Sequence, residues 1–320
     1  MSNELAGKTR LGAELPLRRP ALAVSHARVT RRGLQIALGL FWLLDGGLQF
    51  QPFMLRASFA TQVLAPVGDG QPRWVAGPVH WAANIVAAHP VAWDVAFASI
   101  QVLVGLGMLV PRTARLALAA SLPWSIAVWY FGEGLSGLPG GTASIITGAP
   151  GSVLIYALLA VAAWPRARRS DVAPPRWLAY AWATFWIGGA LYQALPPNNS
   201  GADLAGQITA FPGPHWLASI QNALARLVMH HGVAAVVVVA AVEALIGLAA
   251  LRRTTLQVSA GTGLVVLLAM WAIGQDFGQV YSGQATDPNT AAVTVVVAVA
   301  LLAGYRRRGA SPVLREEAPR

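Results

Sequence analysis

The sequence predicts an all-α integral membrane protein with about eight transmembrane helices at roughly 20 residues per span. They form two parallel four-helix repeats, with amphipathic interfacial helices in the loops on one side. Three observations predict this. The 320 residues are 55% hydrophobic and only 11% charged, against about 25% charged in a soluble domain, and mean hydropathy is +0.53. The chain also repeats itself. Phe41, Trp42, Gln49 and Pro52 return as Phe185, Trp186, Gln193 and Pro196, each 144 residues on. Trp74 and Trp216, His89 and His231, Gln101 and Glu243, Gly105 and Gly247, and Trp129 and Trp271 share a displacement of 142. Lastly, the cations are nearly all arginine and cluster at the ends of apolar runs, as topology signals do.

In chain order, residues 1–32 form a basic tail with Arg10, Arg18, Arg19, Arg28, Arg31 and Arg32 and no apolar core, so the segment does not read as a cleavable signal peptide. The first repeat occupies 33–165, with spans near 33–52, 90–110, 114–131 and 151–164. A Pro- and Arg-rich linker, 166–176, separates it from the second repeat, 177–308, with spans near 177–195, 232–251, 256–274 and 290–305. Residues 309–320 read as a disordered tail. The loops 111–115, 166–176, 252–253 and 306–308 are Arg-rich, whereas the alternate loops hold only Arg56, Arg73 and Arg226. By the positive-inside rule both termini of this multi-pass chain are cytoplasmic, with the long loops outside. An even number of spans per half gives both halves the same orientation.

The net charge of +10 is dispersed at helix ends rather than gathered on one face, which excludes a nucleic-acid partner. Without cysteine, disulfides, thiolate catalysis and cysteine-held clusters are excluded. No phosphate-binding loop, dinucleotide fingerprint or Gly-x-Ser-x-Gly elbow occurs, so soluble-enzyme chemistry has no visible home.

Candidate site residues are the polar groups that lipid should not tolerate. Asp45 lies in the first span opposite Gly189 of the second half, with Gln49 one turn beyond it and Gln193 as the repeat partner of Gln49. Asp45 reads as a proton-relay or ligand-binding carboxylate, or else as an ion pair with Arg56 or an interhelical anchor. Glu243 reads as an interhelical hydrogen bond to Gln101 across the pseudo-twofold axis, or as a protonatable step in a transport path. Glu133, its repeat partner Gln275, and Asp276 follow spans three and seven, where capping of the next helix is the expected role. In the outer loops, His80 with Asn84 and Asn222 with Arg226 and His230 form polar stripes on helices lying in the membrane interface. The His spacings do not make a compact metal site, and no metal is expected.

Leu-Gly-Leu-Phe-Trp-Leu-Leu-Asp-Gly-Gly-Leu-Gln at 38–49, Gly-Leu-Gly at 105–107 and the Arg-flanked short turns resemble the DoxX-like family of small bacterial membrane proteins, once per half. The resemblance implies a membrane subunit of a quinone-linked redox system, with a quinone as bound cofactor and an oxidoreductase as partner protein, and no cofactor attached to the chain itself. It transfers no catalytic residues, and the absence of cysteine argues against persulfide chemistry by this chain. A proton-coupled transporter or channel and a non-catalytic scaffold are the alternative expectations.

Overall fold

The computed structural model describes residues 29–165 and 175–306, and every regular element among them is helical. The linker is described only at 175 and 176; most of the basic tail and all of 309–320 lie outside the described residues.

The first half opens with α1 (Arg31–Leu48). Its start is fixed by Thr30, whose hydroxyl accepts from Gly33 N at 2.9 Å and so satisfies one of the free amides of the first turn. The short α2 (Ala57–Phe59) continues as a π turn, Ala60–Leu64, and a 3-10 turn, Ala65–Gly68. Next comes amphipathic α3 (Arg73–Ala88), burying Val75, Val79, Ala83 and Val86 on one face. It is followed by α4 (Pro90–Leu109), which begins on a proline as first turns tolerate, then α5 (Ala114–Phe131) and α6 (Ser152–Ala162). The second half has α7 (Trp177–Ala194), α8 (Gly201–Ile208), α9 (His215–His231) and α10 (Val233–Ala250). It closes with α11 (Leu256–Ala269), prolonged by a π turn at Met270–Gly274, and α12 (Asn289–Arg306).

Three stretches, Pro90–Leu109, Val233–Ala250 and Leu256–Gly274, are long and apolar enough to cross a membrane by length and composition. The 11-residue α6 reaches only about 16 Å at 1.5 Å per residue. The glycine pairs Gly46–Gly47 and Gly188–Gly189, which could have broken α1 and α7, leave both helices continuous.

Side-chain contacts fix the direction of each helix. The Arg32 guanidinium donates to Met108 O at 2.7 Å and to Leu109 O, and Gln35 Nε2 donates to Ala163 O at 3.0 Å, so α1 starts where α4 and α6 end. Arg115 lies over the Trp164 ring at 5.8 Å, and Trp182 Nε1 donates to Ser259 Oγ at 3.0 Å, which puts the starts of α5, α7 and α11 at ends of the same kind. The Thr290 hydroxyl donates to Gly148 O, joining the start of α12 to the turn that precedes α6. We call the end bearing Arg32, Arg115 and Arg176 the arginine end, and the other the loop end.

Close approach of α1 to α4 and of α7 to α10 depends on small residues. A Cβ on Gly105 would lie 2.8 Å from Gly39 O, and one on Gly247 would lie 3.0 Å from Ala183 O. Between these pairs, α6 and α12 pack together, and the main core, including Trp42, Tyr156, Leu159, Trp186, Val297 and Leu301, draws on both halves. Outward faces are apolar as well: Leu103, Leu116, Val237, Leu245 and Val265 are all exposed.

Candidate functional site

A cavity of about 290 Å³ opens in the first half between α1, α3, α4 and α5, towards the loop end. Its wall is aromatic. Trp93, Phe97 and Trp124 form a chain with ring centroids 5.9 and 5.8 Å apart. Trp81, Trp93 and Phe131 are exposed and rim the mouth. Trp42 lines the interior and packs edge-on against Tyr156 with centroids 4.8 Å apart.

Polar groups converge on this space without partners. The Trp42 and Trp124 indole N–H groups, Asp45 Oδ1, Gln49 Oε1 and Gln101 Oε1 line it, are buried and make no hydrogen bond. A buried unpartnered polar group costs about 1–3 kcal/mol. Five in one neighbourhood mark a place built for something that donates and accepts hydrogen bonds. The lining includes no Arg, Lys or His, and its carboxylates are Asp45, Glu133 and Asp287. These three are close enough to repel one another when ionised.

Glu133, just past α5, is held in place: Oε1 accepts from Ser152 Oγ at 2.9 Å and from Val153 N at 3.4 Å, and Ser136 Oγ donates to Oε2 at 3.4 Å. It therefore caps α6 while facing the cavity. Burial, with the Asp287 charge second, pushes its carboxyl up to about 8 against the bonds that hold its anion. At neutral pH it carries a proton and can donate or accept.

Asp287 and Thr286 reach the first-half cavity from the turn before α12. The same turn is anchored by Gln51 Nε2, which donates to Ala285 O at 2.9 Å. The turn before α6 crosses the other way. Ile145, 142 residues before Asp287, fills the space against Gly189, and Gln275 Nε2 donates to Ile145 O at 3.0 Å. Ser144 Oγ donates to Gln207 Oε1 at 2.9 Å.

The predicted residues divide accordingly. Asp45, Gln49 and Glu133 meet at the cavity. Glu243 lies apart from it on α10, buried, with Oε2 unpartnered and 3.2 Å from where a Gly189 Cβ would sit. Two structural alternatives are corrected here. No Asp45–Arg56 ion pair forms; among the described residues the one ion pair is His80 Nε2–Asp69 Oδ1 at 3.4 Å. Glu243 and Gln101 do not bond to each other, because each faces the helix packed against its own half: Gln101 meets the Asp45 cavity and Glu243 meets α7.

Gln193 and Gln275 are structural: Gln193 Nε2 donates to Asn198 O at 2.8 Å, and Gln275 Oε1 accepts from Ala291 N at 3.0 Å, capping α12. Asp276 Oδ2 accepts from the Tyr281 hydroxyl at 2.5 Å. His80, Asn84, Asn222, Arg226 and His230 are exposed on α3 and α9, on faces turned away from the buried valines and leucines. Among the described residues no cluster of three or more metal-ligating side chains forms.

Sequence reasoning passed over Trp42, Trp124 and Asp287 as site residues, and it passed over Asp94. Asp94 is fully buried one turn into α4 with both carboxylate oxygens unpartnered, the same signal that marks Asp45.

Comparison with known proteins finds no matching family model, no matching curated protein and no matching solved structure. Among the described residues, fold and cavity together define an all-helical protein, with three helices apolar enough to cross a membrane and an aromatic, acid-bearing pocket.

Proposed function

We propose that this chain is a multi-pass membrane protein that binds the ring of a quinone or quinol in the first-half cavity, as the membrane subunit of a quinone-linked redox system. The single observation that carries the reading is the set of unpartnered donors and acceptors inside an aromatic wall. Indole N–H groups of Trp42 and Trp124 suit carbonyl oxygens, and Asp45, Gln49 and Gln101 suit hydroxyls. A volume of 290 Å³ is at the small end for ligand pockets, enough for one substituted ring, with an apolar tail leaving past Trp81 and Trp93. Such a ligand supplies two-electron, two-proton carriage. Asp45 and Glu133 hold or accept the protons, the aromatic wall excludes water, and an oxidoreductase partner takes the electrons.

The membrane reading draws on the exposed apolar faces of α4, α5, α10 and α11, and on the three long apolar helices. In this reading about eight helices span, at roughly 20 residues each, and the halves are parallel repeats. Helix directions and matched details support that. Trp129 Nε1 donates to Pro150 O at 2.7 Å and Trp271 Nε1 to Pro288 O at 2.8 Å, and Leu135 and Phe277 share a left-handed backbone at φ 55 and 54. By the arginine rule, the arginine end is cytoplasmic. The DoxX-like resemblance of 38–49 and 105–107 agrees. Unbroken α1 and α7 lend the transporter alternative less support, and a cavity full of unpartnered polar groups lends the scaffold alternative less.

The test is titration of the purified full chain with a short-tailed quinone while following tryptophan fluorescence. Saturable quenching is expected, with affinity about tenfold weaker in Asp45→Asn and in Trp124→Phe, one lost hydrogen bond each. Quenching that never saturates, or that both variants share unchanged, rejects the reading.

A further inference from the structure

A second, larger cavity of about 720 Å³ lies between α6 and α7. Helix α6 packs on α1, α5 and α12, and α7 packs on α10 and α12, so the cleft is backed by α12 and open on its far side, where Val161 is exposed. It runs along α7 from Trp177 to Tyr192, which is about 22 Å at 1.5 Å per residue. Three of its four hydroxyls are already engaged, and the fourth, on Thr184, is exposed. Ser144 donates to Gln207, Tyr192 to Leu138 O at 3.0 Å, and Thr294 to Thr290 O at 2.7 Å. Unlike the acid cavity, this cleft has a mainly apolar wall with no charged side chain in it.

Among the described residues, two cations flank one mouth of the cleft. Arg176 directly precedes Trp177, and Arg115 lies on α5 two turns from Leu122, which lines the cleft, so both cations stand at the arginine end. Arg115 is exposed and kept in place by the Trp164 ring. A long apolar slot with two cations beside one end matches a molecule with an anionic head and a hydrocarbon chain. The slot is longer than one leaflet, half of a roughly 30 Å hydrocarbon core.

We propose that the α6–α7 cleft is a binding site for an anionic phospholipid, with one acyl chain in the cleft and its phosphate at Arg115 and Arg176. This rests on the membrane part of the proposed function and not on the quinone part. The seam is therefore held by lipid as well as protein, and α6 can be short because a chain lies beside it.

Gly188 allows a clean test. It lines the cleft, and a Cβ there would meet nothing within 4 Å, so Gly188→Leu directs its side chain into open space of the slot. Gly261 on α11 is equally unobstructed but lies outside the cleft, and Gly261→Leu serves as control. Full-length protein is reconstituted in vesicles of mixed phosphatidylglycerol and phosphatidylcholine, extracted in mild detergent, and its retained phospholipid counted by native mass spectrometry. Wild type and Gly261→Leu are expected to keep phosphatidylglycerol in preference to phosphatidylcholine. Gly188→Leu is expected to lose it, and Arg115→Ala/Arg176→Ala to retain about tenfold less. Undiminished retention in Gly188→Leu, or equal retention of both lipids by wild type, overturns the proposal. Resistance of wild type to alkaline extraction from membranes reports the membrane reading separately. Asp45→Asn retains lipid normally, so a failed quinone site leaves the lipid count unchanged.

Discussion

Each half buries an acid, Asp45 in the first and Glu243 in the second, and the two are treated in opposite ways. In the first, Asp45 on α1 and Gln101 on α4 face an open cavity that Asp287 enters from the other half. In the second, α7 carries Gly189, α10 carries Glu243, and Ile145 from the other half fills the space. The carboxyl has changed helices, the amide position has become the acid, and the crossing turn has exchanged a carboxylate for an isoleucine. One acid is available to a ligand and the other is walled in. The difference lies both in the facing helix positions, Asp45 against Gly189 and Gln101 against Glu243, and in the crossing turns, Asp287 against Ile145.

Giving the second half the first half's acid breaks this comparison most severely. Gly189→Asp would drive a side chain into Ile145 and set a second carboxyl against Glu243. A loss of about 3–5 kcal/mol is expected, from overpacking and a buried unpaired charge. Unfolding in denaturing detergent measures it, and a loss under 1 kcal/mol on that scale would show that the space is not filled.

Removing the plug comes next. Ile145→Ala, with its side chain 4% exposed, is expected to cost about 2–4 kcal/mol and to leave a void beside Glu243. If the acid is what makes a ligand site, the variant gains a second quinone-binding equivalent; unchanged stoichiometry would assign that property to the aromatic wall instead.

The acids also separate by pH. Glu133 keeps its proton up to about pH 8 in the folded chain but releases it near 4.5 once unfolded. The folded state holds the extra proton in that window. Stability is therefore highest below about 4.5, declines towards 8 and is level above. A decline on the order of 2 kcal/mol is expected, discounted for residual hydration. Glu133→Gln, which installs the residue the second half has at this place, should flatten the profile.

The smallest effect tests what the halves share. Trp129→Phe and Trp271→Phe each remove one indole bond to a proline carbonyl and should each cost about 1 kcal/mol. Costs differing severalfold would mean that the matched bonds are not equivalent in energy.

How far the sequence could be read follows from range. Apolar runs such as 114–131 give helix positions because hydropathy and helix ends are local properties, and α5 has those bounds. Asp45, Gln49 and Glu133 are legible because an acid or amide in an apolar setting is conspicuous by itself. Trp42 and Trp124 look like ordinary core residues in the sequence, and only an unpartnered indole N–H distinguishes them. Asp287 reads as a helix start, since nothing in its neighbours says that it enters a cavity of the opposite half.

The sequence by itself determined that the chain is helical, where the apolar helices run, and that tryptophans, glycines and a histidine recur at fixed displacements. Only the tertiary structure decided which recurring position stays open, because contacts such as Gln275 to Ile145, 130 residues apart, form after both halves meet. Displacement along a chain preserves residue type, whereas a cavity depends on which side chains arrive from elsewhere to fill it.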